Sequence, residues 1–178
     1  MKTRLLILLL CSIGTFTSCR KEKETRVTDY VDPFVGTAGQ GHCFPGAAIP
    51  FGGIQLGPDN PRSGWEWCSG YHYSDSIISS FSHSHLQDIR LLPVTGRPQP
   101  GESAIDFITS GYAKFSHANE IAEPGFYSVT FDNGIKTELS VTARCGMHAY
   151  QYPANSVYGV TLDLTTARNW DRTVMTSI

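Results

Sequence analysis

The stretch at residues 125–144 reads "GFYSVTFDNGIKTELSVTAR" and decides the fold class. Apolar residues alternate with polar ones on both of its arms, and this period of two indicates strands with one buried face. Between the arms, Asn133-Gly134 has the composition of a tight hairpin turn that needs positive φ. The stretch therefore predicts a hairpin of two half-buried strands. Its alternating apolar residues are Tyr127, Val129 and Phe131 on the first arm and Ile135, Leu139 and Val141 on the second.

The rest of the chain has the same character. Two further strands are predicted by "GMHAYQY" at 146–152 and "YGVTLDL" at 158–164, and shorter candidates lie in "AAIPFGGIQLGPDN", "IISSF" and "LLPVTG". No window shows a helical stripe of ten or more residues. Seventeen glycines and ten prolines, with only 17% charged residues, indicate many turns. Together these features predict an all-β fold, a β-sandwich.

Length and charge narrow the class of protein. The 178 residues suit one domain rather than two. The formal net charge of -2 gives no electrostatic reason to expect a nucleic acid partner.

The N-terminus has the features of a targeting segment. Lys2 and Arg4 precede a short apolar core at 5–10, which is too short to span a bilayer as a helix. The residues "FTSC", ending at Cys19, resemble a bacterial lipobox, in which cleavage precedes a cysteine that is then acylated. We expect a signal peptide at 1–18, a charged tether at 19–28 and the sandwich domain at 29–178. The chain is then a membrane-anchored lipoprotein of the periplasm or cell surface; the alternative is an ordinary secretory signal with an incidental cysteine.

Three cysteines remain after the signal and the lipidated residue, namely Cys43, Cys68 and Cys145. An odd number at wide spacing predicts no disulfide framework. One bridge is compatible with an oxidising compartment, and the sequence does not choose the pair.

Half of the six histidines lie in "SGYHYSDSIISSFSHSHL" at 69–86. His83 and His85 share a face on a strand, and with His72 they would supply the three imidazoles of a catalytic zinc. The favoured interpretation is that these histidines hold loops through hydrogen bonds, because a zinc site also needs supporting groups that the sequence does not show.

The segment "GWEWCSGYHY" at 64–73 carries two tryptophans that share one face if the chain is extended. Exposed Trp65 and Trp67 could pack on the apolar face of a sugar ring, with polar neighbours for its hydroxyls. The alternative is that one or both belong to the core. Carboxylates lie nearby at Glu66, Asp75 and Asp88, but no spacing fixes an acid and base pair.

These same stretches resemble the N-terminal domain of glycoside hydrolase family 92, the calcium-dependent exo-acting α-mannosidases of bacteria. The combination of "CSGYHY" with "FSHSHL" carries the resemblance most specifically. Similar segments cover most of 30–164 in the family's order. They are "VDPFVGTAGQGHCFPGAAIPFGGIQLGPDN", "WEWCSGYHYSDSIISSFSHSHL", "LLPVTG", "FSHANEIAEPGFYSVTFDNGIKTELSVTARCGMHAYQYP" and "LDL".

The resemblance implies an architecture of a β-sandwich followed by a larger helical barrel, with the active site between them. The general acid, the general base and most of the calcium environment then belong to the helical part, so no catalytic residue and no metal ligand is expected in this chain. The resemblance places Trp67, Cys68, His42 and Trp65 on the surface that binds a mannose-containing glycan, with Trp67 stacking on the sugar. His72, His83 and His85 then act as scaffold.

Three departures from the family pattern stand out. A loop after His85-Leu86 is shortened, and the runs at 39–42 and 148–150 read "GQGH" and "HAY" rather than Gly-His-Gly-His and His-Arg-Tyr. We therefore expect a fragment or degenerate copy that is inactive alone and pairs at best with a helical-barrel partner. The alternatives are a surface glycan-binding lipoprotein without hydrolase partner, and a metal-binding β-protein that uses the three histidines.

Overall fold

A computed structural model describes residues 25–84 and 89–164. The signal peptide with Cys19, and also His85 and Asp88, lie outside the described residues. Two 3-10 turns, Val27–Tyr30 and Trp65–Trp67, and one helix, α1 (Ala104–Ser110), accompany nine strands. The strands are β1 (Gly57–Asp59), β2 (Ile77–Ile78), β3 (Ser80–Ser82), β4 (Arg90–Thr95), β5 (Ala113–Glu123), β6 (Phe126–Phe131), β7 (Lys136–Val141), β8 (Gly146–Gln151) and β9 (Tyr158–Asp163).

The strands form two antiparallel sheets, one in the order β1-β3-β4-β9 and the other in the order β2-β5-β6-β7-β8. Phe81 on β3 joins them, because its ring stacks on Phe131 at 6.0 Å and lies 6.3 Å from Tyr127, both on β6 of the other sheet. All three residues are at most 2% exposed. The predicted all-β sandwich is therefore confirmed.

The hairpin of β6 and β7 has the alternation that the sequence predicts. Tyr127, Val129 and Leu139 are fully buried, and Thr130 pairs with Lys136. The turn differs in detail, since only Gly134 has a positive φ, at +85°. Its N–H donates to the Phe131 carbonyl at 2.9 Å, and Phe131 bonds to Ile135 across the loop. This wider loop needs a single left-handed residue, which the glycine supplies.

Two elements carry no strong periodic signal in the sequence. The longest strand, β5, changes register with β6 between Phe115 and Glu120, so its inward positions do not follow one alternation. Helix α1 has only seven residues; the Ser103 hydroxyl accepts a hydrogen bond from the Asp106 N–H and caps it. No helix among the described residues has the length and apolar character that crossing a membrane requires.

A buried ionic network lies inside the first sheet. Arg90 at the start of β4 has a side chain only 1% exposed and donates to Asp163 on β9 at 2.9 Å. It also donates to Ser79 and Ser80, and Ser80 in turn donates to Asp59 on β1 at 2.8 Å. The Arg90 side chain thus connects β1 and β9, the two edge strands of this sheet, and neutralises the buried carboxylates of Asp59 and Asp163.

Candidate functional site

The loop between β1 and β2, residues 60–76, is fixed at its base by Asn60. The side chain of Asn60 accepts from the His72 N–H at 2.6 Å and donates to the Ile77 carbonyl at 2.8 Å. Its own backbone N–H donates to the Gly70 carbonyl at 2.7 Å. A fully buried asparagine therefore holds the two ends of the loop together.

The two tryptophans of this loop stand on a 3-10 turn, Trp65–Trp67, rather than on an extended segment. The condition for a shared face, an extended segment, is therefore not met, because residues two apart on a helix with three residues per turn point in different directions. Gly64, with φ at +129°, gives the chain the sharp entry that the turn needs. Trp65 is 63% exposed, and its ring lies 4.7 Å from that of His42.

Trp67 is half-buried and held on several sides. Its indole N–H donates to Asp75 at 2.6 Å, and the His72 ring lies 5.1 Å from its own. The other oxygen of Asp75 pairs with Arg62 at 3.2 Å, and the Arg62 guanidinium stands 5.6 Å from the indole centroid. Asp75 is thus a positioning group for Trp67, with both of its oxygens engaged.

The glycine-rich loop at 36–43 lies against this turn. Gln40 donates to Glu66 at 3.1 Å, and the His42 Nδ1 lies 2.7 Å from the Cys68 sulfur. Gly41 is required for this course, since a Cβ there would lie 2.1 Å from the Gly36 carbonyl oxygen. His42 itself adopts φ at +55°. The two loops therefore bring the four predicted substrate-binding residues into one group, which we call the wall. The wall consists of His42, Trp65, Trp67 and Cys68.

The histidines beside the wall do not assemble a metal centre among the described residues, where no three His, Cys, Asp or Glu side chains come together to hold an ion. His72 is 7% exposed and uses its Nδ1 on Ser74, as a scaffold residue would. Burial, and then electrostatic repulsion from His83, lower the pKa of His148. His85 lies outside the described residues.

A second group of side chains, which the sequence did not indicate, is buried around Glu120 and contacts the loop of the wall. The Glu120 carboxylate on β5 accepts from Tyr71 at 3.0 Å and from Tyr127 at 2.6 Å, and His117 lies 2.7 Å away. Burial, and then the charge of Glu120, raise the pKa of both tyrosines. The His117 ring also stacks on Tyr73 at 4.0 Å. The cluster fastens the wall's loop to the second sheet.

The three cysteines of the described residues are free. Cys43 and Cys145 are exposed, and Cys68 is intermediate. The bridge that the sequence left open is therefore not formed in this structure.

Comparison with known sequences gives a family match. Residues 30–178 match the model described as the glycosyl hydrolase family 92 N-terminal domain. A protein of Arthroderma benhamiae named an uncharacterized secreted glycosidase is 31% identical over 157 residues, which are 83% of this chain and 20% of that protein.

Solved structures give the same likeness. A family 92 α-mannosidase of Bacteroides thetaiotaomicron, solved with mannoimidazole, is 38% identical over 72% of this chain and 18% of its own, with a TM-score of 0.64. An inverting family 92 mannosidase of the same organism is 28% identical over 79% of this chain and 20% of its own, with a TM-score of 0.63. The chain thus spans about a fifth of the length of these relatives.

Proposed function

The chain belongs to glycosyl hydrolase family 92, whose N-terminal domain it matches over residues 30–178, and we propose that it forms the sugar-facing sandwich of an α-mannosidase. The observation that carries the proposal is the wall, in which His42, Trp65, Trp67 and Cys68 come together from two loops. The solved relatives are mannosidases, so the ligand we assign to the wall is a terminal mannose of a glycan.

Within the wall, Trp65 is the side chain best exposed for stacking on a sugar ring. His42 stands against that indole, and the Gln40–Glu66 pair offers polar groups to sugar hydroxyls. Trp67 lies deeper, with Arg62 and His72 near its ring. The geometry therefore favours Trp65 for the stacking role for which the resemblance suggests Trp67, and the two remain separable by mutation.

Hydrolysis needs more than this wall supplies. An inverting glycosidase uses an acid and a base on opposite sides of the bond, at about 6.5–9.5 Å. The two described carboxylates of the loop already have partners, since Asp75 binds Trp67 and Arg62 and Glu66 binds Gln40. We therefore assign the acid and the base to a helical catalytic domain, and we expect no turnover by the 178-residue chain alone.

Calcium, which the resemblance implies for the full-length family, is not assigned a ligand in this chain. No donor set of three forms among the described residues. The buried carboxylates Asp59 and Asp163 serve Arg90, and Glu120 serves the tyrosines. We place calcium with the helical domain.

The test supplies that domain in trans. The chain is mixed with the helical part of a relative, and hydrolysis of an aryl α-mannoside is measured with and without calcium. We expect the chain to raise turnover and Trp65→Ala to abolish most of the gain. Tyr158→Ala, which removes another exposed aromatic ring on β9, is the matched control and should keep the gain.

Two outcomes would count against the proposal. Calcium-dependent turnover by the chain alone would move the catalytic carboxylates into it. Mannoside binding with no gain in trans would favour the runner-up, a surface glycan-binding lipoprotein.

We further propose that the chain is anchored through a lipid on Cys19, since this cysteine follows an apolar core and precedes a charged tether. Several acyl chains on one cysteine hold a protein firmly, where a single chain is marginal. Cell fractionation of Cys19→Ala is expected to release the protein from the membrane fraction. An unchanged membrane fraction in this variant would refute the anchor.

A further inference from the structure

A thiol and an imidazole meet at the junction of the two loops. The Cys68 sulfur lies 2.7 Å from the His42 Nδ1, and the loop at 36–43 is held there by the contact between Gln40 and Glu66. We propose that Cys68, with His42 as its base, is a modification site that reacts with small disulfides and soft carbon electrophiles. Thiolates rather than thiols are nucleophiles, and an adjacent base is the usual means of forming one.

The other two cysteines of the described residues provide a contrast inside the same chain. Cys43 and Cys145 are more exposed than Cys68. Within residues 25–84 and 89–164, neither of their sulfurs has a histidine nitrogen in hydrogen-bonding reach, and the Cys43 thiol donates to the Gly41 carbonyl at 3.5 Å. Accessibility alone therefore predicts that Cys68 reacts last, whereas base assistance predicts that it reacts first.

The base is held in place by its surroundings. His42 adopts a left-handed backbone conformation that directs its ring between Cys68 and the Trp65 indole. Cys68 is itself fixed by a hydrogen bond from its N–H to the Trp65 carbonyl at 3.2 Å, which ends the 3-10 turn. The pair is thus set by two backbone features rather than by a chance approach of flexible side chains.

Each reaction needs only its reagent, and in the disulfide reaction the reagent is the oxidant. With iodoacetamide, the sulfur attacks the methylene carbon, the sulfur–carbon bond forms, the carbon–iodine bond breaks, iodide leaves, and His42 takes the thiol proton. With a small disulfide, the sulfur attacks one sulfur of the reagent, a mixed disulfide forms, and the other half leaves as a thiolate that takes up the proton.

The experiment treats the full chain with limiting iodoacetamide near pH 7 and near pH 10, where an ordinary thiol is ionised without help. Peptide mass spectrometry then gives a separate rate for each cysteine. We expect Cys68 to react at least about tenfold faster than Cys43 and Cys145 near neutral pH. 2-Hydroxyethyl disulfide should give the same order.

His42→Asn tests the base. Asparagine tolerates the left-handed backbone, so the loop keeps its course, but it cannot take a proton. The variant should slow Cys68 near pH 7 and leave its rate near pH 10 unchanged, with Cys43 and Cys145 unaffected at both. A wild-type Cys68 that reacts no faster than the other two would overturn the proposal. Equal slowing of Cys68 in this variant at both pH values would also overturn the proposal, because it would indicate that His42 affects the accessibility of the thiol rather than its deprotonation.

Discussion

The hydroxyl of Tyr71 donates a 3.0 Å hydrogen bond to the buried carboxylate of Glu120, forty-nine positions along the chain. Tyr71 belongs to the loop that carries both tryptophans, and Glu120 lies on β5 in the second sheet. Tyr127 donates to the other oxygen of this carboxylate, and His117 lies against the oxygen that accepts from Tyr71. One buried acid thus fastens the loop of the wall to the second sheet, in addition to the contacts that Asn60 makes at the base of the loop.

Removal of the Tyr71 hydroxyl should destabilise the fold. Tyr71→Phe leaves Glu120 with one donor fewer in a site that water does not reach, which costs about 1–3 kcal/mol of unfolding free energy. Urea denaturation of this variant measures the loss of unfolding free energy. Tyr73→Phe is the matched control, since it deletes the same atom from a neighbouring side chain that is 41% exposed. Equal stability of the two variants would contradict the role given to Glu120.

The unfolding free energy should fall at alkaline pH more steeply than it would if Tyr71 and Tyr127 were exposed. Burial, and then Glu120, raise the pKa of Tyr71 and Tyr127 above the ordinary value of 10.0. The native state therefore holds these protons after the unfolded state has lost them. The resulting stability is fully present below pH 10 and is lost as the pH rises above it. Urea unfolding at stepped alkaline pH should show this fall, and a shallower fall in Tyr71→Phe; equal slopes would argue against it.

The parts of the fold that the sequence predicted are local. The hairpin at 125–144 has alternating residues and a glycine turn within twenty positions, and Tyr127, Val129 and Leu139 are buried as their pattern indicates. The wall was found through composition and family likeness. The geometry of the wall was not predicted, because the tryptophan segment that follows Gly64 forms a 3-10 turn, in which the two indoles do not share a face.

The buried polar networks escaped prediction for a physical reason. Arg90 and Asp163 lie seventy-three positions apart, and Tyr71 and Glu120 forty-nine. A charged residue on a short strand looks like a solvent-facing residue unless its distant partner is known. Such pairs have no period and no spacing, so only the three-dimensional structure brings them together.

Arg90 is expected to be the most sensitive charged residue of the first sheet. Arg90→Met would leave Asp59 and Asp163 buried without their cation, and breaking a buried pair in this way costs about 3–5 kcal/mol. Chemical denaturation should show the loss. Arg97→Met makes the same change at an exposed loop position and should be nearly neutral. A small effect at position 90 would indicate that water reaches the network.

Phe51 holds a left-handed backbone conformation, with φ at +59°, and its side chain is fully exposed. It follows Pro50 in a turn closed by a bond from the Gly52 N–H to the Ile49 carbonyl at 3.0 Å. Asparagine tolerates this conformation and a β-branched residue does not. We expect Phe51→Asn to raise the unfolding free energy by up to about 1 kcal/mol and Phe51→Val to lower it. Thermal unfolding of the pair compares them directly, and the opposite order would refute the strain.

The two tryptophans should separate binding from stability. Trp67 donates to Asp75 and packs on His72, so Trp67→Ala should lower the unfolding free energy by about 2 kcal/mol. Trp65 is 63% exposed and therefore buries less surface, so Trp65→Ala should cost less stability than Trp67→Ala. Urea denaturation of both variants checks this order.

Glycan binding should show the reverse order, because a sugar ring stacks on the more exposed of the two indoles, which is that of Trp65. The wall alone does not enclose a mannose, so we expect an affinity in the millimolar range, about 4 kcal/mol. An NMR titration with methyl α-mannoside should lose its chemical-shift changes in Trp65→Ala and keep them in a folded Trp67 variant such as Trp67→Phe, which retains an aromatic ring at the deeper position. If Trp67→Phe loses binding and Trp65→Ala keeps it, the sugar instead stacks on Trp67, and Arg62 must move from that indole to admit it.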